Sequence, residues 1–222
     1  MKKLLTLLLL ALIVQVSFAQ EEEEKKKKRE SNINTVFNED NLKFTGGFIG
    51  PELKISNVYD DEGLLIGGRL GATFNDKLTI GLGGYGLVTK SSFDYVPPTP
   101  DPIQPVRIGM GYGGLAMEYT FFGKKKVHFS IPVLIGVGGF TFYEEDADLW
   151  DDNFNDIGTS AAFVAEPGIN VEMNLFKYFR FAAGVSYRYV SGTSFDDPTL
   201  QNIKDSDLSD LSYTATLKFG FF

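Results

Sequence analysis

Leu211-Ser212-Tyr213-Thr214-Ala215-Thr216-Leu217-Lys218-Phe219-Gly220-Phe221-Phe222 decides how this chain is read. Leu211, Tyr213, Ala215, Leu217, Phe219 and Phe221 share one parity; Ser212, Thr214, Thr216, Lys218 and Gly220 share the other. Successive strand side chains point to opposite faces, so the stretch is a β-strand with one apolar and one polar face.

The other end of the chain has a different character. Lys2 and Lys3 precede the apolar run Leu4 to Val14, which falls short of the ~20 apolar residues of a spanning helix. Ser17-Phe18-Ala19 then supplies small residues for cleavage before Gln20, so residues 1–19 read as a secretory signal peptide. Removing Lys2 and Lys3 leaves 19 basic against 29 acidic residues, a net charge of −10. Such a chain repels phosphate backbones, which excludes nucleic acid as an expected partner. With no Cys there is no lipoprotein attachment and no disulfide framework. Residues 20–41 read as a charged periplasmic linker, since Glu21 to Glu24 followed by Lys25 to Lys28 offers i,i+4 pairs but no apolar face.

From residue 42 onward the sequence predicts eight strands, at about 42–57, 63–74, 77–90, 106–121, 127–142, 161–173, 178–190 and 211–222. Pro51 suggests a bulge or an irregular edge in the first. Gly109, Gly111, Gly113 and Gly114 suggest a bulge that switches parity in the fourth, because Ile108 and Met110 sit on the parity of Glu118. The connections alternate in length. Those at 75–76, 123–126 and 174–177 are short, have Lys77, Lys124, Lys125, Lys126 and Lys177 in or next to them, and have the aromatics Phe74, Phe121, Phe122, Phe176 and Tyr178 in or beside them. Those at 91–105, 143–160 and 191–210 are long; the second has seven acids and no base. Short turns alternating with long loops, with aromatic girdles, mark an all-β, eight-stranded antiparallel up-and-down transmembrane β-barrel over residues 42–222.

The polar parity carries Arg69, Glu118, Glu166, Glu172, Arg180, Arg188 and Lys218, and the opposite parity carries bulky apolar residues. A narrow barrel fills its interior with side chains, so these seven charges are expected to cross-pair inside it rather than line an open channel. The pattern and the closing aromatic strand resemble the small eight-stranded bacterial outer-membrane barrels, the OmpX and OmpA transmembrane-domain type. That resemblance implies an outer-membrane location, contact with outer-membrane lipids including lipopolysaccharide, and recognition of the closing strand by the barrel assembly machinery.

Chemistry-bearing motifs are few. His128-Phe129-Ser130 puts imidazole and hydroxyl on one face of a strand and resembles the His-x-Ser motif of outer-membrane lipid A deacylases, with Glu118 or Glu166 as the acid. Its parity faces the lumen and it follows a short turn, which favours a structural His128 and Ser130. The acids between Glu144 and Asp156 could gather Ca²⁺ but lack EF-hand spacing. Phe142, Tyr143, Trp150 and Phe154 could form an exposed contact surface. Pro97-Pro98-Thr99-Pro100 reads as a stiff loop. Gly109 to Gly114 opens no helix and so is no dinucleotide fingerprint. The expectation is a structural or interaction protein with acidic outer loops as contact surface, an unknown protein partner, and no catalytic, cofactor or metal site. A lipid-modifying enzyme using His128 and Ser130, or a conduit for a small hydrophobic ligand, is the alternative.

Overall fold

Runs of Val, Ile, Phe, Tyr and Thr favour extended backbone, and in the computed structural model every expected segment is a strand. Structure is described for residues 42–59, 61–89, 92–95, 104–144, 156–197, 200 and 203–222. The leader, the linker, Pro97 to Pro100 and the acidic run 145–155 lie outside the described residues, and with them the Ca²⁺ expectation and Trp150 and Phe154.

The strands are β1 (Phe44–Val58), β2 (Asp61–Phe74), β3 (Leu78–Leu87), β4 (Ser92–Tyr95), β5 (Gln104–Phe121), β6 (Val127–Glu144), β7 (Asp156–Phe176), β8 (Phe179–Ser191) and β9 (Asp210–Phe221). Their pairing order is β3-β2-β1-β9-β8-β7-β6-β5, and β3 also pairs β5, so eight strands close into an antiparallel ring. Short β4 pairs only residues 104–107 of β5, prolonging the rank of β3 toward the long loops. Closure falls where β9 meets β1, from Gly47↔Phe221 to Ser56↔Ser212.

Register follows from which face must be apolar. Outside, Ile49, Leu82, Val137 and Tyr213 are each about 60–70% exposed, and Leu217, Phe219 and Phe221 continue the belt. Exposure of so much apolar surface around a whole barrel requires hydrocarbon as the solvent. Inside, Thr216, Lys218, Glu172 and Arg188 are almost fully buried. Phe122, Phe176, Tyr178 and Phe221 stand exposed at the short-turn end, as an aromatic girdle does. The β2–β3 turn takes left-handed φ at Asn75 (54°) and Asp76 (58°), which Asn and Asp tolerate better than most residues.

Both expected bulges are absent where the sequence placed them. Pro51 pairs Gly68 with no shift; the β9 ladder passes from Ile49↔Phe219 to Glu52↔Thr216 without slipping. A proline in a closed ring forgoes a ladder bond but need not change register. The β1 irregularity lies instead between Phe44 and Gly46. Across Gly109 to Gly114, β5 keeps register with β6 throughout. Gly114 and Gly136 face each other there, and a Cβ on either would collide with the partner's backbone carbonyl region. Close strand approach explains these glycines better than a parity switch does.

Parity is unbroken because the lumen has two tiers. Ile108, Met110 and Tyr112 point inward and join Leu65, Leu134, Phe140, Phe142 and Val164 in an apolar core at the loop end. The charged side chains occupy the middle and turn end. Strands β6 and β7 also run further than expected, to Glu144 and from Asp156, so part of the expected loop 143–160 is ladder. Phe142 and Tyr143, read from sequence as exposed contacts, are buried, because the loop-end lumen is apolar.

The connection 191–210 is another departure. Read as an acidic outer loop, it turns Phe195, Leu200 and Leu208 into the apolar tier. Each such fully buried side chain contributes about 1.5–3 kcal/mol of transfer free energy. Its acids serve the fold: Asp205 Oδ1 accepts from Thr193 Oγ1 (2.5 Å) and Thr193 N (2.9 Å), and Oδ2 accepts from Gly192 N (2.9 Å). Gly192 has φ +89°, where a side chain would be strained.

Candidate functional site

The inward parity of the strands assembles one continuous chain of alternating charge. Glu166 on β7 binds Lys54 on β1 at 2.5 Å, and Lys54 lies 3.6 Å from Glu52. Glu52 accepts Arg69 of β2 at 2.8 Å, and Arg69 reaches Glu118 of β5 at 2.8 Å. Lys218 of β9 then bridges Glu118 and Glu172 of β7, both at 2.5 Å. All seven residues are buried. Neutral donors complete the acids: Thr216 and Tyr85 on Glu52, Tyr112 and Ser186 on Glu166. Buried ions are tolerated when paired and hydrogen-bonded, and here every one of these carboxylates is.

Glu52 and Lys54 were missed from sequence. The signal was present, since Glu52-Leu53-Lys54-Ile55-Ser56 alternates cleanly, but Pro51 suggested irregular backbone next to it. Arg188 is the reverse case. Expected to cross-pair with acids, it donates instead to Leu208 O (2.9 Å) and Asn57 O (3.0 Å), fastening the loop end. Its position puts it beside backbone carbonyls of the 191–210 connection and β1 rather than beside the luminal carboxylates.

His128 and Ser130 do share a face, and both meet one carboxylate. His128 Nε2 is 3.2 Å from Glu172 Oε2, and Ser130 donates to Glu172 Oε1 at 2.5 Å. The acid is therefore Glu172, not Glu118 or Glu166; on β7 it pairs directly with His128. His128 Nδ1 lies 3.3 Å from Lys125 O. Both side chains are essentially without solvent exposure, at 1% and 0%. Among the described residues, no group of three or more His, Asp or Glu side chains is arranged to hold a metal ion.

Below the charge chain, toward the short turns, opens a vestibule of about 490 Å³. Phe48, Thr73, Thr120, Asn174, Arg180 and Phe222 contribute to its wall, and Lys124 and Asp76 to its rim. Lys124 bonds Asp76 at 3.1 Å, and this bond, above all, holds the Asp76 carboxyl below its ordinary range. Above the vestibule a void of about 20 Å³ lies between Glu52, Lys54, Arg69 and Leu134. That is room for about one water. The bore is thus filled twice, by the charge chain and by the apolar tier.

No family model matches the sequence, and no curated protein does. Solved structures do match. Neisserial surface protein A superposes with a TM-score of 0.52 at 12% identity, over 80% of this chain and 97% of that one. A major outer membrane protein from Thermus thermophilus gives 0.49 at 10% identity, over 79% and 99%. Ail, the attachment invasion locus protein of Yersinia pestis, solved with the heparin analogue sucrose octasulfate, gives 0.43 at 10% identity, over 81% and 100%. The likeness at such identities is one of architecture, and in architecture the chain is a small eight-stranded outer-membrane β-barrel.

Proposed function

We propose that this protein is an outer-membrane scaffold with a structural or interaction role, its acidic loops meeting a partner outside the cell. The observation that carries the reading is the doubly filled bore, which puts the barrel's use on its ends rather than through its middle. In this reading the chain is inserted by the barrel assembly machinery through its closing strand, after cleavage near Ala19 and Gln20. Its apolar belt contacts outer-membrane lipids including lipopolysaccharide, and the short turns face the periplasm. No catalytic, cofactor or metal role is assigned to any residue. Cell fractionation with an epitope inserted between residues 150 and 151 tests it. Surface labelling of intact cells and no steady conductance in planar bilayers are expected; a soluble periplasmic protein or a persistent open channel overturns it.

The alternative, a lipid hydrolase using His128 and Ser130, gains one point from the structure, since Glu172 supplies an acid in contact with both. It is less well supported because Ser130 is wholly buried and already donates to that carboxylate. Hydrolysis of purified lipid A by the wild type, lost in Ser130→Ala, would establish it.

A further inference from the structure

We propose that the turn-end vestibule is a binding site for a small organic anion, with Arg180 as the group that receives it. The observation is an imbalance among the luminal bases. Lys54, Arg69 and Lys218 each hold a carboxylate at 2.5–2.8 Å. Arg180 holds none at that range. It stands 4.0 Å from Glu172, and its hydrogen bond runs from Nη2 to Gly123 O at 3.5 Å. Its Nε is buried with no hydrogen-bond partner among the described residues.

The nearest carboxylate, Glu172, takes Lys218 and Ser130 on Oε1 and His128 on Oε2, and Arg180 Nη1 stops 4.0 Å short of Oε2. The Asp and Glu side chains that line the vestibule have partners of their own: Glu118 has Arg69 and Lys218, and Asp76 has Lys124. A guanidinium carries five donors and binds carboxylate or phosphate at about 2.7–2.9 Å when one is present. Arg180 is therefore a cation that is largely desolvated, 11% exposed, and left without a close anion.

The surroundings favour a ligand. Arg180 lies against the Phe222 ring, 3.8 Å from its centroid, which fixes the fork before anything binds. Phe222 in turn stacks on Phe48, so one wall is apolar while Asn174, Thr120 and Arg180 make the other polar. The volume, about 490 Å³, falls within the range of small-molecule sites. This combination selects a carboxylate or phosphate monoester on a short apolar body. The site is independent of any role of the loops, because the filled bore separates the two ends.

The test uses the mature chain in zwitterionic lipid nanodiscs with ¹⁵N-labelled arginine side chains. Benzoate, phenyl phosphate and acetate are titrated separately while the Arg180 Nε–H resonance is followed. Saturable shifts with benzoate or phenyl phosphate are expected, and the tighter of the two identifies the headgroup. Acetate, which lacks the apolar body, is expected to bind more weakly. Affinity should fall by more than about tenfold in Arg180→Gln, less in Arg180→Lys, and with added salt. Reading the wild-type resonance directly keeps the test open even if a variant fails to fold. No saturable shift with either aromatic anion overturns the proposal, as does unchanged affinity in a folded Arg180→Gln barrel; acetate binding as tightly as benzoate overturns the assigned ligand class.

Discussion

Lys54 Nζ lies 2.5 Å from Glu166 Oε1, across the lumen between strands that are not neighbours in the ring and 112 residues apart in sequence. Both side chains are buried away from bulk water, and Glu166 ends the charge chain. Replacing Lys54 by Met leaves Glu166 a buried carboxylate with only Tyr112 and Ser186 as donors. Loss of one partner of such a pair costs about 3–5 kcal/mol, whereas removing both is far milder. Reversible urea unfolding in lipid vesicles should therefore show Lys54→Met strongly destabilised and Lys54→Met/Glu166→Gln largely restored. A double variant no better than the single one would show that the network acts through something other than charge balance.

Leu208 is completely buried in the apolar tier although it belongs to a connection whose composition is acidic. Leu208→Ala should cost about 2–5 kcal/mol, the range for a core leucine. The same substitution in a surface loop would be nearly neutral. Denaturation midpoints of wild type and variant, side by side, decide whether this connection is part of the core.

The short bond between Ser130 and Glu172 predicts a structural role for the hydroxyl. Ser130→Ala removes one of the donors to a buried carboxylate and should lower stability by about 1–3 kcal/mol. Assayed on purified lipid A, wild type and variant are both expected to be inactive. Hydrolysis by the wild type that the variant loses would shift the assignment to the enzyme reading.

On the outer surface, Leu82 is 59% exposed within the apolar belt. An arginine there must face hydrocarbon, at about 2–4 kcal/mol near the bilayer midplane. Leu82→Arg should fold less stably into bilayers, measured by vesicle folding titrations. An unaffected variant would place this face outside the hydrocarbon.

Asp205 gives a pH dependence at the loop end, outside the spanning segments. Its carboxyl is held below the ordinary aspartate value of 3.8, first by Thr193 Oγ1 and then by the Gly192 and Thr193 amides. A group with a lowered folded-state pKa contributes stability that is present above its unfolded value and lost as pH falls through the folded one. The protection of the Gly192 and Thr193 amides against exchange should thus be full at neutral pH and decline only below about pH 3.8. Asp205→Asn should lose most of that pH dependence.

Although it missed β4, inside the stretch 91–105 read as a loop, the amino-acid sequence carried the eight long strands and their inside and outside. Each of these rests on period-2 alternation, which is local: Leu217 and Lys218 must point opposite ways wherever the strand sits. It also exposed Glu118, Glu166, Glu172 and Lys218 as luminal, because a charge flanked by apolar residues on a strand declares its face. Tertiary structure alone decided which charges meet. Lys218 touches Glu118 and Glu172 because ring order and stagger place three distant strands around one point, and no local pattern encodes that. The same holds for the apolar tier, where Ile108 and Leu208 share an interior only once the barrel has closed. It holds equally for Arg180, which the ring leaves 4.0 Å from Glu172 while Lys218, Ser130 and His128 lie closer to that carboxylate. The terminal stretch Leu211 to Phe222 shows both sides: its alternation fixed its orientation, while its partners Gly47 to Ser56 set the position at which Lys218 could complete the chain of charge.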